Sequence, residues 1–491
     1  MTTRTTSDLG FLQVGPARLT RGFDTSPRVD WPTHLSLHGQ PQALSTDQLV
    51  ALAEAGRLHG RGGAAFPFWR KVKAVADSAI RRKTRTIVVV NATEGEPGSH
   101  KDKLLMRRAP HLILDGAAIT ATALGAKEIF VGATEDRAAA SMEQAITERG
   151  MDTRVRVVRL PERFITGESG ALIRGINGHR PIPPGRKRRA YESGVGGLPT
   201  MLSNAETYAQ LAVLASLGPR EYRSVGTLEE PGTVLLTVTG AARYPAVIET
   251  PAGAPLAHLL DLCGASVGEG VLMGGYHGAF LGRAAVGAAR VSRESLNALG
   301  ATLGAGIIMP LGRRTCPLGE AARVAQYLGA ESAGQCGPCR LGLPDIANAL
   351  GEVVAGRGSA AALDTLHRAV RMVRGRGACS HPDGVSRFVI SAIETFTADL
   401  AAHQNGGGCG RPVLGLLTVE PNPDAKLRLE VDWSRCDGHG LCADILKGTV
   451  RMDEYDYPVI PEGAIPLYLE ADARKAVAMC PGLALRLVKR Q

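Results

Sequence analysis

Gly60-Arg61-Gly62-Gly63-Ala64-Ala65-Phe66-Pro67 is the stretch on which the reading of this chain turns. Three glycines in four positions let backbone N–H groups approach a phosphate or a flat ring without interference from a Cβ, and they tolerate positive φ. The spacing Gly60-x-Gly62-x-x-Ala65 superficially matches the dinucleotide fingerprint, which requires a strand before it and a helix after it. The preceding segment, Ser45 to Leu58, instead reads as a helix: Ser45 can cap it, and Leu49, Leu52, Ala53 and Leu58 fall near a 3.6-residue period. The fingerprint is therefore excluded, and the loop taken alone reads better as a surface turn.

Support comes some residues later. Thr86 to Val90 is a short β-branched run ending in Asn91-Ala-Thr93-Glu94-Gly-Glu96-Pro-Gly98, then Lys101-Asp102-Lys103. Parallel strands present ligand-binding loops at their C-terminal ends, so a polar, acidic, Gly-Pro-rich loop there is a candidate site. Together the two motifs resemble the NADH-binding FMN and iron–sulfur flavoprotein subunit of respiratory complex I and its relatives in soluble hydrogenases and formate dehydrogenases. That family carries both loops around FMN, in this order.

Composition sets the outer bounds. A chain of 491 residues suggests three or four domains. The balance of 57 basic against 47 acidic residues gives a net charge of +10, which suits acidic partners or solvated basic surface. No aromatic residues interleave the basic stretches, so nucleic-acid binding is a poor reading. Met1 to Thr6 lacks the apolar run of a secretion signal. No window reaches roughly 18 apolar residues, so no membrane span of its own is expected. Nine cysteines, clustered in the C-terminal half, point to metal or redox work in a reducing compartment, hence a cytoplasmic chain that a partner could hold at a membrane surface.

In order, residues 1–44 carry four prolines without periodicity and read as an irregular leader. Residues 45–225 alternate helix and strand, with strands at Thr86–Val90, Glu128–Gly132 and Arg154–Leu160, which predicts an α/β domain with a parallel sheet covered on both faces. The resemblance makes this the FMN and NAD(P)H-binding domain. It implies cofactor contacts at Gly60, Arg61, Gly62, Gly63, Phe66, Lys71, Asn91 and Thr93, with Glu94 and Glu96 at the nicotinamide edge. Gly167, Glu168 and Ser169 follow in a later loop, then Arg186 at a family lysine position, and Ser203, Asn204 and Thr207 in a second flavin loop.

The departures from the family are specific. Thr93 replaces an aspartate, Ser203 an asparagine, Ala65 a glycine and Ser169 a glutamate. Of the aromatic positions assigned to adenine stacking only Phe66 is kept, with Ala74 and Arg189 at the others. A carboxylate near the adenosine ribose repels a 2′-phosphate and arginines attract one, so loss of the carboxylate at 169 beside Arg186–Arg189 implies that NADPH is accepted as well as NADH. The competing reading of Arg186–Arg189 is a solvated turn.

Residues 226–310 switch to a period of two and resemble the ubiquitin-like α+β domain that follows the flavin domain in the family; Cys263 there reads as a buried small hydrophobe. Residues 311–402 read as a helical iron–sulfur-binding domain. Cys336, Cys339 and Cys379 match three of the family's four 4Fe-4S ligands, but Ala333 occupies the first position and cannot ligate. Three outcomes stay open: a cluster on three cysteines, recruitment of Cys316 or Cys409, or no cluster. Residues 403–425 read as a linker, flexible at least in part.

Residues 426–491 read as a ferredoxin domain. Cys436, Cys442 and Cys480, the last followed by Pro481, resemble single-cluster bacterial ferredoxins that serve haem monooxygenases. His439 stands where a further cysteine lies in full 4Fe-4S members, so a 3Fe-4S cluster and a histidine-ligated 4Fe-4S cluster are both compatible, as is a His439 that only faces solvent.

The resemblance thus implies an NAD(P)H:acceptor oxidoreductase, with electrons passing from nicotinamide through FMN and clusters to a redox protein, a haem monooxygenase among the classes implied, or to a membrane-bound acceptor. The opposing reading is a degenerate scaffold subunit with a working ferredoxin tail, suggested by Ala333, Ser169 and Thr93. Running the chain backwards, from ferredoxin to NAD(P)+, would use the same residues.

Overall fold

The computed structural model describes residues 9–150, 153–185, 189–356, 359–406, 408–419, 426–461 and 463–489. They fall into two compact units, Met1–Arg314 and Thr315–Gln491.

At the centre of the first unit lies a four-stranded, wholly parallel sheet in the order Arg154–Arg159, Glu128–Ala133, Ile87–Ala92, Thr200–Asn204. Its middle strand, Ile-Val-Val-Val-Asn-Ala, is almost entirely buried, as a strand covered on both faces must be. Helices Phe68–Arg82, Pro110–Leu124, Asp136–Arg149 and Ala205–Tyr222 surround it. The strands and helices anticipated from periodicity in residues 45–225 are there, with ends that differ by no more than about three residues. Helix Thr46–Ala55 begins with a full capping box between Ser45 and Gln48, which satisfies two N–H groups that the helix itself cannot.

The second sheet of this unit has six strands in the order Gly10–Gln13, Ala246–Pro251, Thr233–Val238, Ile307–Pro310, Gly270–Met273, Ala279–Gly282, mixing parallel and antiparallel pairs. Its core packs Leu256, Leu259 and Leu260 of a short helix with the fully buried Cys263.

The leader, expected to be irregular, contains regular structure. Gly10–Gln13 pairs in parallel with Ala246–Glu249, and Trp31–His38 is a helix capped by Asp30 with Pro32 in its first turn. The cause is the buried carboxylate of Glu249. It accepts hydrogen bonds from the backbone N–H groups of Arg18, Leu19 and Thr20 at 2.9–3.2 Å and from the hydroxyls of Thr20 and Thr233 at 2.7 Å. A buried carboxylate must be hydrogen-bonded to this degree, and here the leader backbone supplies the donors.

The second unit opens with a helical bundle, Pro317–Ala330, Leu343–Val354, Ser359–Val373, His381–Thr395 and Thr397–Gln404. The segment expected as a flexible linker is tied down where it is described. Glu320 on the first helix accepts from the N–H groups of Leu414, Gly415 and Leu417 at 2.9, 2.7 and 3.3 Å, while Cys316 donates its N–H to Pro412 O at 2.8 Å. Residues 420–425 lie outside the described residues. The unit closes with a two-stranded antiparallel ladder, Leu427–Val431 with Leu485–Lys489, packed on helix Glu470–Met479.

Candidate functional site

The C-terminal ends of strands Ile87–Ala92 and Thr200–Asn204 bring Asn91 directly opposite Asn204. The glycine loop lies against this edge. A Cβ on Gly62 would stand 3.2 Å from Asn204 Cβ, Gly63 has φ +103°, and Arg61 donates its N–H to Thr207 Oγ1 at 2.9 Å. Ala65, where the family has glycine, takes a left-handed φ of +51°, which strains an alanine. Phe66 is 49% exposed at the rim of the loop.

Around this edge the other expected contacts gather. Asn91 donates from Nδ2 to Gly167 O at 3.1 Å and accepts from Thr93 Oγ1 at 2.6 Å. Lys71 Nζ donates to Leu202 O at 2.8 Å, and burial pulls its ammonium down to about 8. Ser203 is buried in the strand. Glu168 caps helix Ser169–Ile176 by accepting from Ala171 N at 2.9 Å, and Ser169 stands exposed at its first position. Arg186 lies outside the described residues; Arg189 is exposed.

The two carboxylates expected at the nicotinamide edge differ in environment. Glu94 is engaged within the protein, accepting from the Ser99 hydroxyl and from the N–H groups of Asp102 and Lys103 at the start of helix Lys101–Arg108. Glu96 accepts from Tyr276 N at 2.5 Å; burial pushes its carboxyl up to about 8, opposed by that N–H and reinforced by Glu94.

Beneath the loops lies a charge network that in the sequence is visible only as a polar run. Lys101 is 2% exposed, with Nζ 2.9 Å from Glu206 and 3.0 Å from Asp102. Burial alone would lower the lysine, but Asp102, Glu206 and Glu94 hold its ammonium above the usual range; burial likewise raises Asp102, against the pull of Lys101. Asp102 in turn accepts from Asn204 Nδ2 at 2.6 Å, and Asn204 caps helix Ala205–Tyr222 through Glu206 N at 3.0 Å. The Asn204 side chain is thus oriented by a buried ion triad.

The thiols form three groups. Cys339 is buried beside Cys336 and Cys379, its thiol raised by burial and then by these two neighbours; Ala333 is buried nearby in sequence and brings only a methyl. Cys436, Cys442 and Cys480 line one recess with the exposed His439. Cys316 and Cys409 meet His403 in a third group that the sequence did not reveal as such. The ring of Tyr468, on the ferredoxin side of the unit, fills the space that a Cβ on Gly334 would need, and burial pushes its hydroxyl up to about 12. An ion pair between Arg340 and Asp472 spans the same join.

Three family profiles match: the Nuo51 FMN-binding domain over residues 53–213, the NADH-ubiquinone oxidoreductase-F iron–sulfur binding region over 319–403, and a 4Fe-4S single-cluster domain over 429–487. An NADH-quinone oxidoreductase-F protein of Rhizobium meliloti is 30% identical over 380 residues, covering 73% of this chain and 89% of the relative. The chain belongs to the NADH-quinone oxidoreductase-F family. Its Escherichia coli member is 29% identical over 383 residues, covering 73% of this chain and 85% of the relative. An NAD+-reducing [NiFe]-hydrogenase in the air-oxidised state is similar with a TM-score of 0.70 and 25% identity, over 81% of this chain and 68% of that one.

The residues present fit the family's cofactors. Gly62 and Gly63 leave open backbone where a side chain would stand, half-buried Lys71 offers a cation near that edge, and Thr166 Oγ1 is buried without a hydrogen-bond partner beside Gly167. The thiol groups at Cys436/Cys442/Cys480 and Cys336/Cys339/Cys379 are the soft donor sets that iron–sulfur clusters take. Among the described residues no helix is long and apolar enough to cross a membrane.

Proposed function

We propose that this member of the family oxidises NADH at FMN held by the glycine loop and delivers the electrons through iron–sulfur groups to a redox partner. FMN when bound converts two-electron hydride chemistry into single-electron release, and the clusters carry one electron at a time. The chain's own residues bind and orient. Gly62 and Gly63 admit a phosphate or ring, Lys71 supplies positive charge, Asn91 and Asn204 present amides at the strand ends, and Glu96 borders the same loop. No acid–base catalyst is required.

The observation that carries this reading is the register of Asn91 with Asn204 against Gly62, which sets the two family loops and the glycine loop on one edge. Anaerobic addition of NADH to purified chain with flavin and iron counted should bleach the visible flavin band. A preparation supplied with both cofactors that emerges colourless and metal-free overturns it.

Three finer points belong to the proposal. NADPH is accepted, because Ser169 brings no carboxylate and Arg189 is exposed; initial rates with each nucleotide at equal concentration test this, and strict NADH use refutes it. The site at Cys336, Cys339 and Cys379 holds a cluster on three thiolates. The acceptor is a one-electron protein or membrane-bound partner met in the cytoplasm through the Cys436/Cys442/Cys480 end; only the ferredoxin resemblance suggests a haem monooxygenase.

A further inference from the structure

Cys316, His403 and Cys409 come together from three places in the second unit. Cys316 caps helix Pro317–Ala330, accepting from Gly319 N at 3.2 Å. His403 lies in the last turn of helix Thr397–Gln404, and Cys409 follows in the segment beyond. Sγ of Cys316 is 3.3 Å from His403 Nε2, and one ligand atom from each of the three residues lies within 4.8 Å of the others. Cys316 and His403 are only 2% and 5% exposed. The other ring nitrogen of His403, Nδ1, is buried with no hydrogen-bond partner. Cys316 Sγ thus faces both His403 Nε2 and Cys409, so two thiols and an imidazole nitrogen converge on one largely buried point, a donor set that suits a single soft metal ion.

We propose that these three residues bind one zinc ion. Zinc takes thiolate at about 2.3 Å and imidazole at about 2.0–2.1 Å, so tetrahedral ligand atoms stand roughly 3.5–3.8 Å apart, a spacing that the three atoms, now within 4.8 Å of one another, reach by small side-chain shifts. Two thiolates and a neutral imidazole cancel the charge of a divalent cation, so the buried ion carries no net charge. Arg411 sits beside Cys409 and pairs with Asp399, adding a neutral ion pair at the rim. Loading deprotonates both thiols and releases two protons. Cys409 is partly exposed, so a water is able to complete the coordination. The neighbours of Cys339 are Cys336 and Cys379, whereas those of Cys316 are Cys409 and His403, so this group is distinct from the cluster ligands. Its position is structural: the ion joins the start of the first bundle helix to the segment leaving the bundle, beside the hydrogen bonds from Glu320 to residues 414–417.

The test measures zinc, iron and flavin per chain on the full-length protein, purified with its clusters assembled and without chelator, beside Cys409→Ser and His403→Gln. The expected result is one zinc in the parent, lost in both variants with iron unchanged. Should the variants fail to fold, cobalt(II) supplied in place of zinc to the cluster-loaded parent must give thiolate-to-cobalt charge-transfer absorption. Parent protein without zinc, zinc that persists in both variants, iron lost in place of zinc, a Cys316–Cys409 disulfide by mass spectrometry, or a cobalt-treated parent lacking that absorption each overturns the proposal.

Discussion

Replacing Lys101 by methionine keeps the length of the side chain and removes its charge from a site where Asp102 and Glu206 depend on it. Both carboxylates are buried, and each makes a charge-assisted contact with Nζ, at 3.0 and 2.9 Å. Removing one partner of a buried pair costs about 3–5 kcal/mol, because the remaining charge stays desolvated without compensation. At roughly 1.4 kcal/mol per factor of ten, the folding equilibrium of the first unit drops by about two to three and a half orders of magnitude. The pH dependence is diagnostic. Unbalanced carboxylates have folded-state pKa values above their unfolded ones, so the native state holds protons that the unfolded chain has released. Stability of the variant therefore falls as pH rises from about 4 to 7, and the gap to the parent narrows on acidification. Urea unfolding at pH 7 and pH 5, at one fixed FMN concentration and followed by far-UV circular dichroism and by the tryptophans, reads this directly, since Trp31 and Trp69 lie in the first unit. A loss under about 1 kcal/mol, or one independent of pH, would refute the account of the triad.

Ala65→Gly relieves a left-handed alanine and should stabilise by about 1 kcal/mol without loss of bound flavin, whereas Gly63→Ala, at φ +103°, should cost about 1–3 kcal/mol and release flavin with secondary structure intact; melting temperature and flavin-to-protein ratio check both, and equal behaviour of the two would count against the loop geometry. For Lys71, burial sets the folded-state value at about 8, below the roughly 10.4 of an exposed lysine. Between these values the unfolded chain binds the proton more tightly, so flavin-free protein gains stability from pH 8 to about 10, a slope that Lys71→Met should abolish in denaturation curves. Cys442→Ser should lower iron content and slow reduction of a protein acceptor at least tenfold while NADH still reduces a small dye at the parent rate; an unchanged protein-acceptor rate would place the exit elsewhere.

What the sequence made legible was local. Strand Ile87–Ala92 declared itself by an unbroken β-branched run, and helix Thr46–Ala55 by Ser45 and Gln48, because the interactions that form them lie within a few residues. The two motifs expected to hold flavin were readable because each is contiguous, although the structure was needed to bring Asn91 beside Asn204. The leader was opaque for the opposite reason: its organiser, Glu249, lies about 230 residues away and nothing near Arg18 signals that partner. The group at Cys316, His403 and Cys409 was hidden in the same way, since 87 positions separate the first two and only folding makes them neighbours. Lys101 and Glu206 read as ordinary charges because burial, which gives them their meaning, is a property of packing.

Tyr468 occupying the place of a Gly334 side chain means that the C-terminal segment acts as a roof over this loop of the bundle. A chain trimmed before residue 426 would uncover the loop at Gly334 that leads to Cys336 and Cys339, and water reaching an iron–sulfur centre held there would shift its potential. Shortened versions used to study the front half alone would then report redox properties that the intact chain never has.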